Sequence, residues 1–340
     1  MKIDNLITKI EESSKGIAKE KEPGFCCAIV KDGSLVFSIN QGLENMESGT
    51  PLTNDSLFYL ASESKQFTAA CVLNLVNDGL ITLEHDIRDI VSETKQFKKK
   101  ISIQNLLNHT SGIPDYLDYI DYQIGRHPSD YFDNKDSLAL IRKFDFLEFT
   151  VNDKFAYSNS NYILLMAAIQ NITGLTPACY AQEKIFTPVG LQSTIYDDDR
   201  FKIIKNRAYS YTSDPINKGE YRLELKNSCT VGDGGVLSSI HDLVRWEANI
   251  HNNKYLPEPV VSGLFHVTPL NNGSPNYYAN GTEISPPEHK FSYSFHGGGF
   301  EGFRTLIFRV HDENLSIIYL SNNPSAQLSK LRGKWPLDFL

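Results

Sequence analysis

The chain has no basic block beyond Lys98-Lys99-Lys100, and its formal net charge is -8 at pH 7. It offers no positive stripe to a phosphate backbone, which argues against nucleic-acid binding. No run of about 18 apolar residues occurs, so no segment reads as a membrane span. An apolar export signal is missing as well. Ile3, Leu6, Ile7, Ile10, Ile17 and Ala18 recur at helical spacing between charges, which predicts an amphipathic helix over residues 3–18. On that reading the protein is cytoplasmic as written, and periplasmic or secreted if a signal peptide has been removed. The five cysteines are odd in number and lack C-x-x-C spacing. They read as buried free thiols, with Cys26 and Cys27 on opposite faces of a strand, and fit a reducing compartment. No histidine is spaced with carboxylates as a zinc site requires, and Asp197-Asp198-Asp199 reads as a solvated loop. No metal or cofactor is implied, and no internal repeat or low-complexity linker divides the chain.

What is present is a serine one helical turn before a lysine. Ser62 and Lys65 fall at the start of an apolar run containing Phe67, Ala70, Cys71, Val72, Leu75 and Val76 and ended by Gly79. Residues three apart on a helix share a face, so the two side chains meet. A serine hydroxyl becomes a useful nucleophile when a nearby base takes its proton, and a buried lysine with a lowered pKa can be that base. The start of a helix adds positive partial charge beside any oxyanion that forms. An ordinary helix N-cap is the other reading of Ser62. A second S-x-x-K, Ser92 to Lys95, precedes Phe97 and the three lysines and reads as a solvated surface turn.

Two later segments carry polar residues beside apolar runs. Tyr157-Ser158-Asn159 precedes the apolar residues 163–169, and His296-Gly297-Gly298-Gly299 follows an aromatic, strand-like stretch, residues 291–295. Taken by themselves, Tyr157 reads as a core tyrosine and Asn159 as a turn residue. Two glycine patterns here are decoys. Residues 297–302 match G-x-G-x-x-G, but a strand rather than a helix follows. His296 to Gly299 also spells HGGG, but the chain has no G-x-S-x-G to accompany it.

Serine-lysine, then Tyr-x-Asn, then a strand ending in a basic residue and glycines resembles the motif order of the serine penicillin-recognising enzymes. The likeness is to the branch holding class C β-lactamases, D,D-carboxypeptidases, D-aminopeptidases and related esterases. Leu106-Leu107-Asn108-His109-Thr110-Ser111-Gly112-Ile113 is similar to the family's LLxHTSGI segment. Ile185-Phe186-Thr187-Pro188-Val189-Gly190-Leu191 is similar to its IFxPLGM turn, and Gly232-Asp233-Gly234-Gly235-Val236 with Ser239 to Leu243 to its glycine turn and capped helix. The resemblance implies an α/β (α+β) fold, an antiparallel sheet flanked by helices beside a mainly helical domain, with the site between them. It implies Ser62 as nucleophile, Lys65 and Tyr157 as candidate bases, and Asn159, His296, Gly298 and Gly299 as substrate-binding residues. The N–H groups of Ser62 and Gly299 would form the oxyanion hole. The implied function is hydrolysis of an ester or amide through a Ser62 acyl-enzyme, of esterase or D-amino-acid peptidase type. Alternatives are a penicillin-binding D,D-carboxypeptidase, a weak β-lactamase, or a binding protein that keeps the fold without turnover. The implied partners are a small molecule or short peptide, with β-lactams among the candidates. One departure matters: His296 stands where β-lactamases and D,D-peptidases usually carry lysine, and a largely neutral, shorter side chain is poorly suited to a substrate carboxylate.

A coarse pass predicts a hairpin from residues 25–30 and 35–38 around Lys31-Asp32-Gly33. Three strands follow near the C-terminus at 291–295, 303–310 and 315–320, and helices at 138–144 and 161–172. These place a sheet subdomain at about 1–60 and 255–340 and a helical subdomain at about 61–254. The Pro-, Gly- and Asn-rich stretch 270–288 reads as a long loop lining the cleft. Asp115 and Tyr116 fall near the cleft border without assigned chemistry.

Overall fold

A computed structural model of the chain describes residues 3–123, 125–127 and 130–324. Helix α1 (Ile3–Ser14) leads into a hairpin of β1 (Phe25–Lys31) and β2 (Ser34–Gln41). Next come β3 (Phe58–Tyr59), α2 (Lys65–Asn77), α3 (Ile103–Leu107), α4 (Asn134–Ile141) and α5 (Asn159–Thr173). Strands β4 (Ile195–Tyr196) and β5 (Val236–Ser238) precede helix α6 (Ile240–Asn252). The last strands are β6 (Glu283–Ile284), β7 (Tyr293–Phe300), β8 (Phe303–Val310) and β9 (Leu315–Ser321).

Among the described residues the largest sheet has the order β6-β7-β8-β9-β1-β2, with antiparallel neighbours throughout. The first and last of the described strands therefore meet inside the sheet, where β1 pairs with β9. The expected hairpin forms because Asp32 and Gly33 both take positive φ, 50° and 75°, the backbone that suits a tight turn between twisted strands. Residues 1–2 and 325–340, assigned to the sheet portion from sequence, lie outside the described residues.

The strands alternate as a two-sided sheet must. Phe25, Cys27 and Ile29 join Leu6 and Ile10 of α1 in a core on one face. Cys26, Ala28 and Val30 face the larger core, which holds α2, α5 and Trp246. The two neighbouring cysteines do point opposite ways, and Cys26, Cys27, Cys71 and Cys229 are buried, but Cys179 is exposed. Helix α1 stops at Ser14, short of the expected end at residue 18, because Gly16 takes a left-handed φ of 78° just beyond it.

Other boundaries shift for identifiable reasons. The strand expected at 291–295 runs on to Phe300, since Gly297, Gly298 and Gly299 stay in register with Leu306, Thr305 and Arg304 of β8. Helix α4 starts at Asn134 because Asp133 and Asp136 form a reciprocal capping box ahead of it. Helix α5 starts at Asn159 and ends at Gly174, whose φ of 72° supplies the left-handed cap. The stretch 270–288 contributes Pro275–Asn276, paired with Thr268–Pro269 just before it, and β6 at the edge of the large sheet. The second S-x-x-K forms a 3-10 turn, Ser92–Thr94, with Ser92 and Lys95 exposed. Asp197 departs from the solvated-loop expectation. It is buried, with Arg207 and Lys226 on its two oxygens at 2.8 and 2.9 Å. No single helix among the described residues is long and apolar enough to cross a membrane.

Behind α2 the sheet carries a buried ionic cluster. Arg309 on β8 is forked onto Glu247 of α6 at 2.9 and 2.7 Å and also donates to Gln66 of α2 at 2.7 Å. Ser316 donates to Glu247 as well. Burial alone would raise the Glu247 carboxyl, but Arg309 holds it below its usual range. Removing one partner strands the other charge in the core. Glu247→Ala is therefore expected to destabilise the fold by about 3–5 kcal/mol, read as a lowered urea midpoint. A midpoint equal to that of the parent would show that the cluster does not hold α6 to the sheet.

Candidate active site

Ser62 lies in a 3-10 turn, Ala61–Ser64, that runs directly into α2. Ala61 just before it adopts φ 51°, a left-handed conformation that a side chain normally disfavours. The Ser62 hydroxyl does not cap a helix. Its oxygen accepts from Lys65 Nζ at 3.2 Å and from the Tyr157 hydroxyl at 2.8 Å. Lys65 is fully buried, and its ammonium has three acceptors: Ser62 Oγ, Asn159 Oδ1 at 2.8 Å and the Asp233 carbonyl at 2.6 Å. Burial lowers its pKa to about 8, against the opposing pull of the Asp233 and Asp115 carboxylates. Near neutral pH an appreciable fraction of Lys65 is thus uncharged and able to accept a proton.

Each partner is fixed by its own element. Asn159 opens α5, and its backbone N–H and side-chain amide both donate to Asp115, at 3.0 and 2.7 Å. That carboxylate turns the amide so that its oxygen faces Lys65. Asp233 sits in the turn where Gly232 and Gly235 take φ of 116° and 94°. These angles bring the Asp233 carbonyl round to Lys65, while its carboxylate accepts from Tyr116 at 2.9 Å. Burial raises the carboxyls of both Asp115 and Asp233 above their usual range.

Tyr157 is 38% exposed to the cleft, but its hydroxyl points inward, and Lys65 Nζ lies 4.8 Å from its ring centroid. To act as a base, Tyr157 would need neighbouring cations to lower its phenol. The structure does the reverse: burial holds it above its ordinary value, opposed by the Ser62 hydrogen bond and reinforced by Asp233, Asp115 and Glu283. Tyr157 is a phenol that donates, and Lys65 is the group poised to accept. The Tyr157 ring rests on His109, centroids 4.3 Å apart. His109 is buried, and its Nδ1 accepts from Ser158 N–H and faces Asn161 Nδ2.

His296 is placed differently from the expectation of an open substrate contact. It is only 5% exposed, behind Tyr278, whose hydroxyl lies 2.9 Å from its Nε2. Its Nδ1 is 2.8 Å from the Gly297 carbonyl, so the proton sits on Nδ1 and Nε2 accepts from Tyr278. Burial, then the Lys65 and Arg309 charges, push its pKa down to about 3, with the Gly297 hydrogen bond opposing. The position therefore carries no cation at neutral pH.

Gly298 is where β7 touches the nucleophile turn. A Cβ there would lie 2.1 Å from the Leu60 carbonyl oxygen and 2.2 Å from Thr305 Oγ1. At Gly299 the nearest atom to a Cβ, Arg304 Cδ, is 3.6 Å away, so sterics do not demand glycine. The structure thus brings together Ser62, Lys65, Tyr157 and Asn159, places Gly298 against the turn before Ser62, and withdraws His296 into the wall. Sequence reasoning missed Tyr278 and Gly281. A Cβ on Gly281 would lie 2.8 Å from the Lys65 backbone. Only the glycine-rich character of 270–288 hinted at so close an approach. Asp115 had been noticed without a role.

Comparison with known proteins agrees with this layout. The Beta-lactamase family model matches residues 3–333. Penicillin-binding protein 4* of Bacillus subtilis (strain 168) is 29% identical over 85% of this chain. A D-aminopeptidase of Gluconobacter oxydans (strain 621H) is 25% identical over 95% of it. The chain spans 66% and 60% of the lengths of these two relatives. The octameric penicillin-binding protein homologue from Pyrococcus abyssi superposes with a TM-score of 0.81 at 22% identity, over 96% of this chain and 74% of that one. At that identity the likeness establishes the fold alone.

The contact of β7 with the nucleophile turn can be tested through Gly298. Gly298→Ala must displace either the Leu60 carbonyl or the strand, and overpacking of this kind costs about 1–3 kcal/mol. The expected result is a lowered urea midpoint for Gly298→Ala and a smaller change for Gly299→Ala. Equal midpoints for the two variants would contradict the close approach.

Proposed function

From the premise that the chain belongs to the Beta-lactamase family, we propose that it is a serine hydrolase that forms an acyl-enzyme on Ser62. The observation that carries this reading is the convergence of Lys65 Nζ and the Tyr157 hydroxyl on Ser62 Oγ, at 3.2 and 2.8 Å. Neutral Lys65 takes the Ser62 proton as Oγ attacks the substrate carbonyl carbon. The N–H groups of Ser62 and Gly299 receive the developing oxyanion, an interaction whose loss typically costs about 3–4 kcal/mol. The tetrahedral intermediate collapses as the leaving group departs with a proton delivered from Lys65 through the Tyr157 hydroxyl. Water then attacks the acyl carbon as Lys65 accepts its proton, and Lys65 returns that proton to Ser62 Oγ as the acyl C–O bond breaks and the acid product leaves.

The substrate is an amide or ester, and a D-amino-acid amide or short peptide is the favoured kind. The name of the Gluconobacter relative, a D-aminopeptidase, supports this choice. The neutral, buried His296 supports it too, because a site that selects a substrate carboxylate gains from a cation that this one lacks. Penicillin binding is the second reading, favoured by the name of the Bacillus relative.

Intact-protein mass spectrometry after incubation with p-nitrophenyl acetate, a D-amino-acid p-nitroanilide or benzylpenicillin separates these readings, with Ser62→Ala as control. The parent is expected to hydrolyse the ester or anilide, and Ser62→Ala to lose at least about 1,000-fold in kcat. Ser62→Ala as active as the parent would refute the mechanism. A lasting adduct with benzylpenicillin on the parent alone would favour the second reading.

The pH profile tests the base. Lys65 acts in its neutral form, so kcat/KM should rise with pH and level off above about 8, where the lysine has lost its proton. No inflection is expected near 6.5, because burial keeps both His296 and His109 neutral there. A profile already flat between pH 6 and 9 would remove Lys65 from the role.

A further inference from the structure

Beyond the proposed reaction, the geometry points to a second binding site, one that takes a small organic anion. A cavity of about 260 Å³ is lined in part by Tyr59. Its lining includes none of Ser62, Lys65, Tyr157, Asn159 or His296. The volume is below the roughly 300–1,000 Å³ of drug-sized pockets, which limits the occupant to a small molecule.

Charge and shape set the occupant's chemistry. Three cations, Arg200, Arg207 and Lys226, line the cavity with two carboxylates, Asp197 and Glu224. Asp197 is already engaged by both Arg207 and Lys226. Arg207 keeps a buried Nε with no hydrogen-bond partner. Arg200 lies 4.1 Å over the Tyr131 ring and forms no ion pair with a carboxylate among the described residues. A guanidinium braced on a ring and a second one with a spare donor suit a carboxylate or a phosphate ester. The aromatic walls suit an apolar body behind that head. Lys226 lies 4.6 Å over the Tyr59 ring, which in turn packs on Phe303 at 6.1 Å. Tyr59 also ties the cavity to the catalytic turn. Its hydroxyl accepts from Gly235 N–H, two residues after the carbonyl that holds Lys65.

Titration calorimetry on the Ser62→Ala protein, which removes turnover, tests the site with benzoate, phenyl phosphate and the neutral control benzyl alcohol. Saturable binding of either anion is expected, with benzyl alcohol at least tenfold weaker. The tighter of the two anions identifies the head group. Arg200→Gln should weaken the anion about tenfold or more. Arg200 is exposed and makes no bond to Asp197, so this variant is expected to fold, as circular dichroism will report. Tyr157→Phe should leave the affinity unchanged. The inference is overturned if neither anion saturates, if benzyl alcohol binds equally well, or if Arg200→Gln has no effect. Loss of binding in Tyr157→Phe but not in Arg200→Gln would place the anion in the catalytic cleft and overturn it equally. None of these results depends on which substrate Ser62 attacks.

Discussion

An ammonium group taken out of water costs several kcal/mol unless each of its N–H bonds finds an acceptor. Lys65 sits fully buried at the start of α2, and its three acceptors come from three separate parts of the chain: the turn before α2, the first residue of α5, and the glycine turn before β5. The constraint therefore works in both directions. The fold must bring those segments to one point to keep the lysine buried, and the buried lysine fixes their relative positions. The same burial that makes the group costly also brings its pKa down to where a proton can come and go near neutral pH.

Around that point the supporting contacts form layers. Asp115 orients Asn159, Tyr116 holds the Asp233 carboxylate, and His109 supports the Tyr157 ring. On the other side, Thr305 of β8 donates to the Leu60 carbonyl at 2.8 Å, and Gly298 lets β7 approach the same carbonyl. The nucleophile turn is thus held between the helical layer and the sheet. Ala61, in a left-handed conformation beside Ser62, is the backbone sign of that double constraint.

The wall contributed by β7 sets the electrostatic character of the cleft. A lysine at the His296 position would bring a permanent charge close to Lys65. The histidine instead folds back, donates its Nδ1–H to the Gly297 carbonyl and accepts a hydrogen bond from the Tyr278 hydroxyl at Nε2. Lys65 itself helps keep the ring neutral, since two cations so near each other in a buried place repel. One lysine is retained for chemistry and the second position becomes a hydrogen-bonded aromatic wall.

The sequence by itself determined the elements whose information is local. The 303–310 and 315–320 strands were legible as short, mainly apolar runs, the first hairpin as Asp32-Gly33 between 25–30 and 35–38, and the serine-lysine pair as a three-residue spacing. The order of the motifs along the chain carried the family likeness. What tertiary structure decided was everything that depends on burial by distant segments. Whether Asp197 is solvated rests on Arg207 and Lys226 folding over it. Whether His296 is open to the cleft rests on Tyr278, from a loop whose composition gives no sign of it. The length of β7 rests on pairing with β8, which overrides the poor strand preference of three glycines. The direction of the Tyr157 shift rests on which charges surround the phenol and how much water is excluded. Spacing along a chain specifies which side chains of one element share a face, whereas solvation and charge environment are properties of the packed whole.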